Sequence, residues 1–160
     1  MGAIADEPEA PEVFGQTVAR RDGLPPRVRE RVHLATIPAA DPEEGAAMVN
    51  ALQRRATVVL QKSRGEGFGM TVLEAMWKCR PVVCSRVGGH QEQMIDGTTG
   101  FLRDPGDVEG AAEATLTLLQ DPQLCERMGI AGQDRVPRHF LLPREIADWA
   151  ELFEGVLAGS

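Results

Sequence analysis

Two carboxylates, Glu66 and Glu74, bracket the run Gly67-Phe68-Gly69-Met70-Thr71-Val72-Leu73, with seven residues between them. Small residues leading into a helix leave backbone N–H groups free beside the positive end of the helix dipole. That arrangement suits an anionic group such as a diphosphate. Carboxylates repel phosphate but accept hydrogen bonds from paired hydroxyls. An anion cradle flanked by hydroxyl acceptors fits a ligand that is part phosphate and part sugar, and so points to a nucleotide sugar.

The flanking segments have the composition needed to position such a cradle. Ala56-Thr57-Val58-Val59-Leu60-Gln61 is a short apolar, β-branched run, as in a buried parallel strand. Lys62 to Gly69 is a polar, glycine-bearing loop, and Thr71 to Lys78 is expected to be a helix with Val72, Ala75, Met76 and Cys79 at helical spacing. Helical side chains lean toward the N-terminus, so Glu74, one turn in, can reach a ligand there. Pro81-Val82-Val83-Cys84-Ser85 is a second buried-type strand, leading to Val87-Gly88-Gly89, where a backbone could approach a ligand closely. Both loops then open at the carboxyl ends of parallel strands, where open α/β sheets bind ligands.

Taken singly, each feature has a plainer reading. Glu66 and Glu74 fit a solvated loop acid and a helix surface charge, and Ser63-x-x-Glu66 fits a capping box. Gly67 and Gly69 fit a tight turn, Gly88-Gly89 an ordinary strand-to-helix connection, and Asp96-Gly97 a plain turn. Trp77 is read as core packing. Their joint order on a strand–loop–helix–strand frame is what favours a site. In that order, Ser63-x-x-Glu66-Gly67-Phe68-Gly69, Glu74-Ala75-Met76, Pro81-Val82-Val83, Gly88-Gly89-x-x-Glu92 and Asp96-Gly97-x-x-Gly100-Phe101-Leu102 resemble the signature of retaining GT-B glycosyltransferases that use nucleotide sugars. Within that family, Asn50-Ala51-Leu52-Gln53-Arg54, Glu74-Ala75-Met76-Trp77-Lys78 and Gln93 most resemble the trehalose glycosyltransferring synthases.

The resemblance implies roles. Glu66 would be the catalytic carboxylate, holding hydroxyls of the donor sugar beside the reacting carbon. Gly67, Phe68 and Gly69 would line the sugar pocket, Met70 and Thr71 would lie by the diphosphate, and Glu74 would bind the ribose hydroxyls. Transfer with retention builds charge on the departing diphosphate, so electrostatic preorganisation is the main task. The implied substrates are a nucleoside diphosphate sugar, in particular a glucose donor, and a sugar acceptor, with no cofactor and no metal. The implied fold is the C-terminal half of a GT-B enzyme. Against that family the opening strand and helix are expected to be missing, together with the acceptor-binding N-terminal domain and its basic clamp on the diphosphate. Lys62 and Arg64, the basic residues near the motif, are read as exposed loop charges. Inner strands left unpaired by such a truncation would invite self-association. A noncatalytic remnant that binds nucleotide sugar without transferring it is the alternative reading.

Composition sets the outer bounds. The 160 residues suffice for one modest domain with a real core. A formal net charge of −7 with scattered basic residues argues against nucleic acid and against an anionic membrane surface. No apolar run is long enough to span a bilayer, and the N-terminal residues lack the regions of a signal peptide, so a cytoplasmic location is expected. Cys79, Cys84 and Cys125 are expected to be buried free thiols, and His33, His90 and His139 are too dispersed to suggest a metal site.

The alternation of strand and helix patterns predicts an α/β, Rossmann-like, doubly wound and mostly parallel sheet. Residues 1–160 are read as a single partial nucleotide-sugar-binding domain. Met1 to Val13 is expected to be a mobile acidic loop, Phe14 to Gly23 a weak helix, and Arg31 to Thr36 a short strand followed by a loop from Pro38 to Glu44. Pro42 to Arg55 is a predicted helix with Met48, Val49 and Leu52 inward. Further helices are predicted over Asp107–Gln120, Pro122–Val136 and Pro143–Leu157, after a third strand near 100–102.

Overall fold

The computed structural model describes residues 10–37 and 41–158. It divides into two compact units between Leu52 and Gln53.

The first unit is helical. Helix α1 runs from Ala10 to Asp22, α2 from Pro26 to Arg29, and α3 from Pro42 to Arg55, passing into the second unit at its end. Helix α1 begins earlier than the sequence suggests: Ala10 to Val13, expected in a loop, form its first turn. Pro11 is tolerated there because first-turn N–H groups have no intrahelical acceptor, and Glu12 suits the dipole. The remainder of that expected loop, residues 1–9, lies outside the described residues, as do 38–40 of the next one. The strand expected over Arg31–Thr36 does not form. Residues 32–37 have no regular structure, because a strand needs a hydrogen-bonding neighbour and this unit contains none among the described residues. One of its carbonyls, that of Val32, instead accepts a 2.7 Å bond from Arg21 Nε.

The second unit is built on three parallel strands in the order β1 (Val59–Gln61), β2 (Val82–Ser85), β3 (Gly100–Arg103). All three lie where the sequence predicts them. Central β2 is buried along its whole length and divides the core by alternation. Val82 and Cys84 face one way, into a cluster with Val72, Ala75 and Met76 of α4 (Met70–Trp77), Leu102 of β3, and Val136 of α7 (Pro122–His139). Val83 faces the other way, against Ala111, Ala114 and Leu118 of α6 (Val108–Gln120) and Met128 of α7. A short α5 (His90–Gln93) lies between β2 and β3, and α8 (Leu142–Ala158) closes the chain. Helices on both sides of a parallel sheet make this the expected doubly wound α/β architecture.

Two side-chain expectations fail. Met48 and Leu52 of α3 are exposed, and Gln53 is buried instead. A helix turns about 100° per residue, so turning Gln53 inward carries Leu52 to the side. Trp77 likewise lies one position beyond the buried Met76 and is 48% exposed rather than in the core.

Candidate functional site

The loop from Lys62 to Gly69 follows the carboxyl end of β1, and its shape is set by the segment after β2. Gly88 and Gly89 permit this. A methyl on Gly88 would lie 1.7 Å from the Glu66 carbonyl oxygen, and one on Gly89 would lie 2.3 Å from that of Phe68. The glycine pair was expected to let backbone approach a ligand; what it approaches is the Glu66–Phe68 backbone. The Gly89 N–H donates to Gly67 O at 2.9 Å, and the Gln93 side-chain amide donates to Phe68 O. Gln93 is itself buried, and Arg135 of α7 braces α5 by donating to the carbonyls of Gln93 and Glu92, each at 2.8 Å.

These two anchored carbonyls orient the loop's amides. In a trans peptide the C=O and N–H point in opposite directions, and no peptide among the described residues is cis. With the carbonyls of Gly67 and Phe68 turned toward Gly89 and Gln93, the N–H groups of Phe68 and Gly69 point away from them. Gly69 then serves as the cap of α4 at φ +92°, ψ +51°, without a side-chain capping bond. Ser63 and Glu66 therefore do not form a capping box at this helix. A side chain at Gly69 would strike the His90 ring at 2.6 Å, so the residue is glycine for space as well as for its left-handed backbone. The N–H groups of Met70 and Thr71 at the start of α4 continue the row of donors, whereas that of Val72 donates to the Gly69 carbonyl at 3.1 Å.

The two carboxylates sit at either end of this row, each with a distinct environment. Glu66 is partly buried, with 28% of its side chain exposed, and its Oε2 lies 3.9 Å from His90 Nε2. His90 is fully buried; its Nδ1 lies 3.0 Å from the Ser85 carbonyl, which can only accept, so Nδ1 carries a proton. Nε2 has no hydrogen-bond partner and Glu66 lies beyond hydrogen-bonding distance. Glu74 accepts from Gln53 Nε2 at 3.4 Å and lies 4.0 Å from Lys78 Nζ. Lys78 Nζ in turn donates to Gln53 Oε1 at 2.5 Å. The buried Gln53 amide thus links the ammonium and the carboxylate, holding Glu74 while leaving it partly exposed.

The other residues singled out in the sequence have varied surroundings. Phe68 and Met70 are more than half exposed, and their side chains line a hollow of about 250 Å³ with Trp77 and Phe140, with Glu74 on its wall. Thr71 is half-buried in the first turn of α4. Lys62 is tied down across the sheet end, donating to the carbonyls of Asp104 at 2.7 Å and Asp107 at 3.2 Å, whereas Arg64 is exposed as expected. Asp96 does more than make a turn. It accepts from the Leu102 N–H at 3.0 Å and from Arg86 at 2.9 Å. Burial alone would raise its pKa, but these bonds and the nearby Arg103 outweigh that and hold it below the usual value. All three thiols are free, but only Cys84 is fully buried, and burial pushes it up to about 12.

The sequence assigns His90 no role beyond being too far from the other histidines to suggest a metal site. Its role beneath the loop was missed because the relevant signal, a polar residue directly after a glycine pair, is also that of any helix start.

A parallel sheet in this order with helices on both faces is Rossmann-like, the form of the C-terminal half of a GT-B fold. Residues 44–135 match the family model described as glycosyl transferases group 1, and the chain belongs to that family. It is 36% identical over 157 residues to a trehalose synthase of Pyrococcus horikoshii, covering 98% of this chain and 35% of the relative. It is 48% identical over 113 residues to one of Rubrobacter xylanophilus, covering 71% of this chain and 26% of the relative. The chain therefore spans about a third or less of these curated relatives. Among solved structures, the sucrose-phosphate synthase of Thermosynechococcus elongatus superimposes with TM-score 0.71 at 28% identity, covering 98% of this chain and 36% of that one. Anabaena HepE, solved in complex with UDP-glucose, has the same fold, with TM-score 0.71 at 24% identity over 94% of this chain and 38% of its own.

Proposed function

We propose that this chain is the donor-binding part of a retaining glycosyltransferase that takes a nucleoside diphosphate glucose and, with an acceptor-binding domain, makes trehalose. The carrying observation is the row of N–H groups from Phe68 to Thr71 that the anchored carbonyls of Gly67 and Phe68 leave turned away, with Glu66 before it and Glu74 after it. In this reading the amides of Gly67, Phe68 and Gly69 line the sugar, and those of Met70 and Thr71 face the diphosphate, where the α4 dipole stabilises the charge that grows as the glycosidic bond breaks. Glu66 is the catalytic carboxylate, accepting from sugar hydroxyls beside the reacting carbon. Glu74, steadied by Gln53 and Lys78, accepts from the two ribose hydroxyls. The relatives named trehalose synthase support the choice of product.

Transfer requires donor and acceptor in attacking geometry, which is worth several orders of magnitude in rate. The 160-residue chain on its own is therefore inferred to hold donor without transferring it. Calorimetric titration with UDP-, ADP- and GDP-glucose tests the binding role. Glu74→Ala is expected to weaken the preferred donor by about 1–3 kcal/mol, through lost hydrogen bonds to a charged acceptor. Equal affinity for wild type and variant would remove Glu74 from the ribose site. Labelled disaccharide formed by the purified chain from glucose and labelled donor, and abolished by Glu66→Ala, would refute the division of labour.

A further inference from the structure

A second cavity, of about 490 Å³, opens at the other end of the sheet, beside the residues that precede β1 and β2. Its wall carries Arg54, Arg55 and Arg80, against one carboxylate, Glu126. In a chain whose net charge is −7, this is a local concentration of the opposite sign. Arg80 is fixed in place, with Nη2 donating to the Arg54 carbonyl at 2.6 Å. Its Nε is buried and has no hydrogen-bond partner. A guanidinium keeps its charge at any physiological pH, so a buried N–H without an acceptor is a standing cost. The same charge reaches the first turn of the 18-residue α7: burial raises the pKa of Cys125, while Arg80 pulls it the other way. The N-terminus of α7 is itself capped by Asp121, whose Oδ1 accepts from the Leu124 N–H at 2.9 Å, so the positive charge of this wall comes from the arginines.

We propose that this cavity binds a small phosphate monoester, independently of the donor site. The phosphate oxygens meet the guanidinium groups of Arg55 and Arg80 on the cavity wall, in the charge-assisted geometry that such groups favour. The space exceeds what inorganic phosphate fills, and Leu118, Leu119 and Pro122 give the remainder an apolar floor suited to a carbon skeleton. The donor site lies after β1 and this cavity before it, so the two are separable by substitution.

The test follows backbone amides of the full ¹⁵N-labelled chain at fixed ionic strength during titration with glucose 6-phosphate, inorganic phosphate and glucose in separate runs. Glucose 6-phosphate is expected to give saturable shifts at Cys79, Arg80, Cys125 and Glu126, inorganic phosphate a weaker response at the same amides, and glucose none. Arg55→Met, at an exposed position, is expected to weaken glucose 6-phosphate binding about tenfold. Arg80→Met should do at least as much, and Arg138→Met, at the far end of α7, should change nothing. Shifts confined to Phe68–Glu74, or unchanged affinity in a folded Arg55→Met chain, would overturn the site. Equal affinity for inorganic phosphate and glucose 6-phosphate would overturn its assignment to a monoester.

Discussion

Replacing Gly88 with alanine tests whether the Glu66–Phe68 loop is held by direct backbone approach. The added methyl would lie 1.7 Å from the Glu66 carbonyl oxygen and 2.8 Å from its carbon, at a backbone φ of +43°. Two neighbouring glycines separate these costs. Gly97 has φ +76° with nothing within 4 Å, so Gly97→Ala carries only left-handed strain, about 1–2 kcal/mol. Gly89 sits at φ −58°, and its methyl would lie 2.3 Å from the Phe68 oxygen, so Gly89→Ala carries only the steric term, about 1–3 kcal/mol. Gly88→Ala carries both, about 2–5 kcal/mol together. The obstacle is a backbone carbonyl, so no rotamer change relieves it. Urea unfolding followed by circular dichroism would measure the three differences, which fall within the usual stability of about 5–15 kcal/mol for a domain. Gly88→Ala should be the most damaging of the three. If it costs no more than Gly97→Ala, the loop yields freely to the methyl, and the close approach does not shape the site.

Gln53→Ala should destabilise the chain by about 1–3 kcal/mol in the same assay, because it strips the side-chain amide from a nearly buried Lys78 ammonium; an unchanged midpoint would dissolve the Gln53–Lys78–Glu74 linkage. Asp96→Asn should cost on the order of 0.5–1 kcal/mol at neutral pH, since the pairs are partly exposed. The folded pKa of Asp96 is depressed, so its contribution is present above the unfolded value of 3.8 and is lost as pH falls through the lower folded value. Wild type and Asp96→Asn should therefore converge in acid, and a gap that persists or widens there would contradict this sign. Cys84, raised to about 12 and buried, should resist thiol reagents at pH 8 until the chain unfolds. Mass-spectrometric mapping of labelling that finds Cys84 modified as fast as Cys79 and Cys125 would refute its burial.

What could be read from sequence depended on which partner each residue needed. β2, buried along its whole length, was legible because such a strand must be short and continuously apolar, and β1 and β3 from their short apolar runs. Helix α4 was legible from the spacing of Val72, Ala75 and Met76. The segment 31–36 has equally β-prone residues, yet pairing decides a strand, and composition carries no record of a neighbour. In α3 the apolar count favoured Leu52, whereas the buried residue is Gln53, joined by a polar tie to Lys78 and Glu74. Such a tie joins positions more than twenty residues apart and leaves no periodic trace.

Partner dependence also governs the Glu66–Phe68 loop. Gly88 and Gly89 announce in the sequence that something comes close, without saying what. The approach is by the loop's own backbone, and its consequence is geometric: carbonyls drawn inward oblige the adjoining N–H groups to face out. The cradle is thus made by a segment some twenty residues away, and not by the glycines within the loop alone. His90 and Gln93 complete that support, filling the space under Gly69 with polar side chains, of which His90 Nε2 and Gln93 Oε1 remain unbonded. An apolar filler would pack there at less cost, but it could not supply the donor that holds the Phe68 carbonyl. Sites on Glu66 and Glu74 therefore depend on residues that never need to touch the ligand, and a chain with both carboxylates but a substituted Gly88-Gly89 pair would keep the motif while losing the geometry.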